Sequence, residues 1–222
     1  MTAGFVVAGT DTGVGKTLVA AALLRRFGTL GLRAAGMKPI AAGCKQGRND
    51  DVEALLAAGM RGLDRSLVCP YLFEPPIAPH IAAGEAGVNI DLAVIERAFM
   101  ALSKKSDVVV VEGVGGFRVP LDERLDAGSI PKRLGLPVIL VVGLRLGCLN
   151  HALLTQEAID GEGLELAGWV ANRIDPVMAR AEENVEALKR RLRAPLLADV
   201  PFGPASEFPI ALERLRRAPG SP

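Results

Sequence analysis

Gly9-Thr10-Asp11-Thr12-Gly13-Val14-Gly15-Lys16-Thr17 stands directly after an apolar run at 5–9 and directly before a segment of helical period. A strand that ends in a glycine-rich turn and opens a helix carries a defined chemistry. Successive backbone N–H groups form a concave anion site, the helix N-terminus adds partial positive charge, and a lysine at that point reaches the outer oxygens of a phosphate chain. Thr17 would put its hydroxyl on a magnesium ion held beside those phosphates. Five residues separate Gly9 from Gly15, one more than the usual form of this loop. A dinucleotide cradle needs neither Lys16 nor Thr17, so the stretch predicts a bound nucleoside triphosphate with magnesium.

Outward from this loop, short apolar runs alternate with longer amphipathic segments. The runs at 5–9, 33–39, 107–112, 137–143 and 167–172, with a weaker one at 195–200, read as strands. Several are almost wholly apolar, as expected when helices cover both faces of a parallel sheet. The segments 16–27, 50–58, 91–103, 151–160 and 176–192 read as helices, with Asp91 as an N-cap, Pro176 in a first turn, and Gly28 and Gly161 as stops. The stretch 70–87 has four prolines and no period, which predicts an ordered loop with one short helix laid over the sheet edge. The fold class expected is α/β, a P-loop-NTPase-like, mostly parallel sheet with helices on both faces, in one domain over 1–222.

Composition excludes several other functions. The 222 residues carry 26 Lys plus Arg against 25 Asp plus Glu, so a net charge of +1 gives no basic field for nucleic acid. The basic clusters at 189–193 and 214–217 fall on helical segments and read as solvated faces. The apolar runs are too short to span a membrane, and the N-terminal stretch has no export-signal pattern, which predicts a cytoplasmic protein. Three cysteines (Cys44, Cys69, Cys148) without a CxxC pair, and two histidines, predict buried thiols rather than disulfides or a zinc cluster.

In a parallel sheet the strands' carboxyl ends share one edge, so the residues just after each strand become neighbours. Here that edge would collect the phosphate loop, Lys38-Pro39, Glu112-Gly113-Val114-Gly115-Gly116, the stretch 143–150, and Asn172. Glu112 ends a run of valines and offers a hard oxygen at the mouth of a buried strand, as a magnesium-phosphate complex requires. Asp50 and Asp51 begin a helix, where both can cap and one can also face the metal. Lys38 would set a second ammonium near Lys16, a costly arrangement without an anion between them. Its removal is expected to leave the fold intact. Gly147 to Asn150 opens another helix as a backbone-amide anion site. Together these residues imply transfer of a terminal phosphoryl group by positioning and charge neutralisation, with the acceptor unspecified.

These motifs, with Leu146-Gly147-Cys148-Leu149-Asn150-His151 and Gly168-Trp169-Val170-Ala171-Asn172, in this order and spacing from residue 5 to about 203, closely resemble the ATP-dependent dethiobiotin synthetases, whose phosphate loop is also lengthened. The resemblance implies ring closure of 7,8-diaminononanoate with carbon dioxide, using ATP and Mg2+, through a carbamate and a carbamic-phosphoric anhydride. It implies Thr17, Asp51 and Glu112 as magnesium ligands, and Lys16 with Lys38 as the catalytic cations, Lys38 at the carbamate. Thr12, Gly13, Val14, Gly15, Gly113, Val114 and Gly115 would lie along the nucleotide. Asn172 would read the adenine edge beside Arg173, with Pro201, Phe202 and Gly203 lining the base pocket and Glu207 near the ribose. Cys148, Leu149 and Asn150 would hold the substrate carboxylate across the interface of a homodimer.

Departures from the family pattern are local. Ala42 stands where relatives commonly have a hydroxyl near the substrate, Gly13 where some carry Glu, and Arg173 where some have an acid. Two rival readings share the early motifs. A cobyrinate-type amidoligase would need a glutaminase domain beyond residue 222. A partitioning-type ATPase switch carries a lysine where this chain has Asp11.

Overall fold

The computed structural model describes residues 3–203 and 208–215. Six parallel strands form the main sheet: β1 (Ala3–Gly9), β2 (Ala34–Met37), β5 (Val108–Glu112), β6 (Val138–Leu144), β7 (Leu166–Arg173) and β8 (Leu196–Val200), in spatial order β2-β5-β1-β6-β7-β8. The expected strands all form, to within one or two residues at most ends. Beyond Met37 the chain leaves the sheet, because the Lys38 amide donates to the Val68 carbonyl and Pro39 has no amide to donate.

Period-two alternation sorts the strand residues between two helical layers. Val7, Val110, Val141 and Val170 face α1 (Lys16–Thr29) and Leu55 of α2 (Asp50–Ala58). On the opposite face, Val109 and Val111 meet α5 (Leu92–Ser103), while Leu140, Val142 and Trp169 meet α7 (Cys148–Gly161) and α8 (Ala181–Arg191). Close approach requires small residues. At Gly168 a Cβ would stand 2.5 Å from Leu197 Cδ1.

The helix ends differ from the sequence reading in four places, one of them the start of α7 at Cys148 rather than at 151. Gly28 and Gly161 lie inside their helices, and the left-handed residues that end them are Gly31 (φ +78°) and Gly163 (φ +71°), three and two positions later. Each turn is closed by a backbone bond back across it, Leu32 to Phe27 and Leu164 to Ile159. Pro176 does not start α8. The Asp175 carboxylate accepts the Val177 amide in a tight turn, and α8 begins only after Arg180, itself left-handed at φ +58°. Asp91 caps α5 as expected, accepting the Ala93 amide.

The proline-rich stretch holds the short helix α4 (Pro79–Glu85), and also a strand that the sequence did not reveal. β4 (Tyr71–Phe73) pairs in parallel with β3 (Ile40–Ala42), a second sheet of two three-residue strands. Two further short helices, α3 (Arg65–Val68) and α6 (Ser129–Leu134), were also not foreseen. Of the basic clusters, 189–191 form the last turn of α8 and Arg214 ends a 3-10 turn; residues 216 and 217 lie outside the described residues. The three cysteines are free and buried. No helix among the described residues is long and apolar enough to cross a membrane.

Two outcomes test this packing. Gly168→Ala is expected to destabilise the protein by about 1–3 kcal/mol in denaturant titration, since the added methyl must displace Leu197; an unchanged midpoint would show that the layer gives freely. At the foot of β2, the Arg33 guanidinium and amide hold the Asp107 carboxyl down to about 2. Its contribution is therefore present above the ordinary carboxylate range and lost as pH falls toward 2. Asp107→Asn should lose less stability than wild type between pH 5 and pH 2 in parallel unfolding curves.

Candidate active site

The phosphate loop is shaped by two left-handed glycines, Gly13 at φ +74° and Gly15 at φ +93°, the second being the N-cap of α1. No side chain caps this helix, which leaves its first amides for a ligand. The loop is fastened at its start by the Thr10 amide on the Val141 carbonyl. Above it, the Asn172 amide group donates to the Val14 carbonyl at 2.8 Å, and a Cβ at Gly15 would come within 2.2 Å of that same nitrogen. Val14 is buried beneath the turn, while Thr12 and Gly13 are exposed along it. The segment after β5 crosses over this loop: Gly113 donates to Val7 O, and a Cβ on Gly115 (φ +59°) would lie 3.6 Å from Thr12 Oγ1.

Five of the candidate side chains gather at or beside the loop. Lys38, 4% exposed, donates to Glu112 Oε1 at 2.5 Å and to the Gly113 carbonyl at 3.3 Å, and pairs with Asp51 Oδ2 at 3.0 Å. The Thr17 hydroxyl lies 2.7 Å from Asp51 Oδ1 and 2.8 Å from Glu112 Oε1 and can donate its proton to either. Lys16 donates to the Asp11 carbonyl at 2.8 Å. The sequence had called for an anion between the two lysines. Glu112 and Asp51 supply negative charge to both.

The titration properties follow from burial and neighbours. Burial, then the Lys38 charge, pushes the Lys16 ammonium down to about 8. Burial also opposes the charge on Lys38, but Glu112 and Asp51 outweigh it and hold that ammonium above its ordinary value. Burial raises the Glu112 carboxyl despite Lys38, whereas Asp51, less enclosed, is held down by Lys38 and Thr17.

Glu112 Oε2 is buried and has no hydrogen-bond partner. A buried carboxylate oxygen without a partner, next to a hydroxyl and a second carboxylate, is a hard-donor set suited to a small divalent cation. Among the described residues no group of three or more His, Cys, Asp or Glu gathers for a metal. An ion here would therefore complete its shell with phosphate and water oxygens, which suits magnesium.

The remaining expected residues divide by position. Asp51 and Asp50 do not cap α2; Asn49 does, accepting the Asp51 and Val52 amides. Asn49 also donates to the carbonyl of Ala42, which ties the end of β3 to the helix that presents Asp51. Arg173 is committed away from the loop, bidentate on Asp199 at 2.9 Å and bound to Glu182 at 2.7 Å, with its guanidinium raised by Asp199. Pro201, Phe202 and Gly203 follow β8 at the same edge, and Phe202 and Arg173 line a cavity of about 320 Å3 with Leu144 and Met178. Glu207 lies outside the described residues. Cys148, Leu149 and Asn150 form the first turn of α7 after left-handed Gly147 (φ +95°), again without a side-chain cap; Cys148 points inward and Asn150 is exposed.

Comparison with known proteins decides the family. A family model described as an AAA domain matches residues 3–209. The ATP-dependent dethiobiotin synthetase BioD of Nitrosospira multiformis is 55% identical over 199 residues, 90% of this chain and 88% of that protein. The BioD proteins of Aromatoleum aromaticum (54%, 96% of each chain) and Ralstonia nicotianae (49%, 96% of this chain and 95% of that protein) agree. This chain belongs to the ATP-dependent dethiobiotin synthetases. Membership separates it from the two rivals, which the fold alone does not. The septum-site protein MinD of Pyrococcus horikoshii, complexed with Mg-ADP, superposes with TM-score 0.57 at 19% identity over 92% of this chain and 83% of its own. Cobyrinic acid a,c-diamide synthase of Mycobacterium smegmatis, with bound ADP and magnesium, reaches 0.54 at 18% over 90% and 86%. Both share the P-loop fold.

Sequence reasoning missed Asn49, and it placed Gly113 along the nucleotide without foreseeing that its carbonyl accepts from Lys38. An Asn two residues ahead of Asp51 is itself a capping signal, whereas a backbone carbonyl that binds Lys38 has none.

The burial of Lys38 adds a stability cost to the expectation that its removal leaves the fold intact. Removing it leaves a buried Glu112 beside Asp51, so Lys38→Ala is expected to lower stability of the ligand-free protein by about 3 kcal/mol, the low end for a broken buried pair because Glu112 can take up a proton. Unchanged unfolding curves would contradict the buried pair. Gly15→Ala should abolish measurable nucleotide binding while the protein still unfolds cooperatively, because strain and the Asn172 clash fall on the loop alone. Retained binding in calorimetry would refute that geometry.

Proposed function

We propose that this chain, as one synthetase domain over 1–222, makes dethiobiotin for biotin biosynthesis from 7,8-diaminononanoate, carbon dioxide and ATP. The observation that carries this reading is that Lys38 and Thr17 each meet both Asp51 and Glu112 within hydrogen-bond reach, beside Lys16 of the phosphate loop, in a chain 49–55% identical to named synthetases.

One amine of the substrate adds to carbon dioxide and loses a proton, giving a carbamate. A carbamate oxygen then attacks the γ-phosphorus, and the bond to the β-γ bridging oxygen breaks to release ADP. The second amine attacks the carbonyl carbon of the mixed anhydride, phosphate leaves, and the ureido ring closes. Two anions must approach each other in the middle step. Lys16 on the phosphate side and Lys38 on the carbamate side offset that repulsion and stabilise charge as it moves. Thr17, Asp51 and Glu112 would hold the magnesium ion, which neutralises triphosphate charge when bound.

In this reading Thr12 to Gly15 and Gly113 to Gly115 wrap the phosphates, Asn172 meets the adenine edge with its free oxygen, and Pro201 to Gly203 close the base pocket. The first turn of α7 offers its amides to the substrate carboxylate across a homodimer interface in a cytoplasmic enzyme. Ala42 brings no hydroxyl to the substrate, and its carbonyl already serves Asn49.

Incubation with labelled bicarbonate should give acid-stable label in a ureido product, dependent on diamine, ATP and magnesium, and abolished by chelation. An ATPase rate indifferent to the diamine would contradict the reading. In Lys38→Ala, turnover should fall by about 100-fold or more while nucleotide affinity changes by less than about threefold; equal turnover would remove Lys38 from the mechanism.

A further inference from the structure

The phosphate loop carries an acid of its own. The Asp11 carbonyl accepts from Lys16 Nζ at 2.8 Å and its Oδ1 accepts the Thr12 amide at 2.7 Å, so this residue sits within the cradle that must receive a polyanion. An uncompensated carboxylate in that loop would repel a bound triphosphate. Its counter-charge comes from far along the chain. Arg145, the residue after β6, places Nη2 2.5 Å from Asp11 Oδ2 across a separation of 134 residues. The Arg145 carbonyl in turn accepts the Cys148 amide at the start of α7. One residue thus links the two uncapped helix N-termini of the site.

The pair contributes little to the fold. Its side chains are 43% and 46% exposed, and ion pairs that open to water are worth at most about 1 kcal/mol. The place where it matters is the loop, whose charge and shape it sets. We propose that Arg145 is a positioning residue for the nucleotide: acting through Asp11, it cancels the loop's carboxylate and holds the loop in the form that accepts a triphosphate. This rests on the reading of the loop as an ATP site.

Equilibrium binding of a fluorescent ATP analogue with magnesium tests it, alongside kcat and KM for ATP with the diamine present. Arg145→Ala should weaken binding and raise KM by about tenfold with a smaller change in kcat, and Arg145→Lys should stay within about threefold of wild type. Adding Asp11→Asn to Arg145→Ala should recover most of the lost affinity, because the exposed charge is then gone. Melting temperatures should agree within about 4 °C. Unchanged affinity in Arg145→Ala would overturn the proposal, and so would a double variant weaker than Arg145→Ala alone. If Arg145→Ala does not fold, Arg145→Gln is read in the same way; failure of both to fold would make Arg145 a stability residue and overturn the proposal too. The binding readout does not depend on turnover, so a wild-type protein that bound nucleotide but made no ureido product would overturn the synthetase reading instead.

Discussion

An ammonium group that is almost wholly out of water persists only where anions meet it, and Lys38 is met by two. Glu112 at 2.5 Å and Asp51 at 3.0 Å make its burial tolerable, and Thr17 bridges those carboxylates back to the phosphate loop. The arrangement is a charge balance in waiting. It holds cations and hard oxygens together, so that in the proposed reaction much of the desolvation cost of the site is already met by folding.

That cluster depends on the sheet. β5 lies between β2 and β1, so the residues that follow β2 and close β5, Lys38 and Glu112, are neighbours of the turn that follows β1. The valines of β5, buried on both faces, carry Glu112 to the edge of the core and leave its outer oxygen without a partner. Asp51 arrives from a different layer, on α2, and its placement relies on Asn49 as cap and on the Ala42 carbonyl as anchor. A side chain supplied by a helix is thereby registered against two supplied by strands.

Much of this was legible in the sequence because burial on both faces leaves uninterrupted Val and Ile runs, and because parallel order turns strand ends into neighbours. The fold class and the meeting of Lys38 and Glu112 at the phosphate loop follow from those two facts; the loop with Lys16 and Thr17 was carried by its own motif, and the choice of Asp51 over Asp50 by the family resemblance. What could not be read has equally physical reasons. β3 and β4 are three residues each, too short to show a period, and their pairing joins segments thirty residues apart. Pro176 has the residue type of a first helical turn, but the Asp175 turn intervenes. The depth of Lys38 was invisible because burial of a lysine depends on partners that only the fold assembles. Arg145 gave no signal for the same reason: its partner lies 134 residues away.

In the proposed reaction these cations and carboxylates surround the junction of two anions. A crystal structure with a non-hydrolysable ATP analogue, magnesium and the diamine tests it most directly. The ion is expected against Thr17, Asp51 and Glu112, with Lys16 and Lys38 on opposite sides of the γ-phosphate and the substrate nitrogen. A structure with the diamine bound elsewhere, and Lys38 facing no part of either ligand, would contradict it.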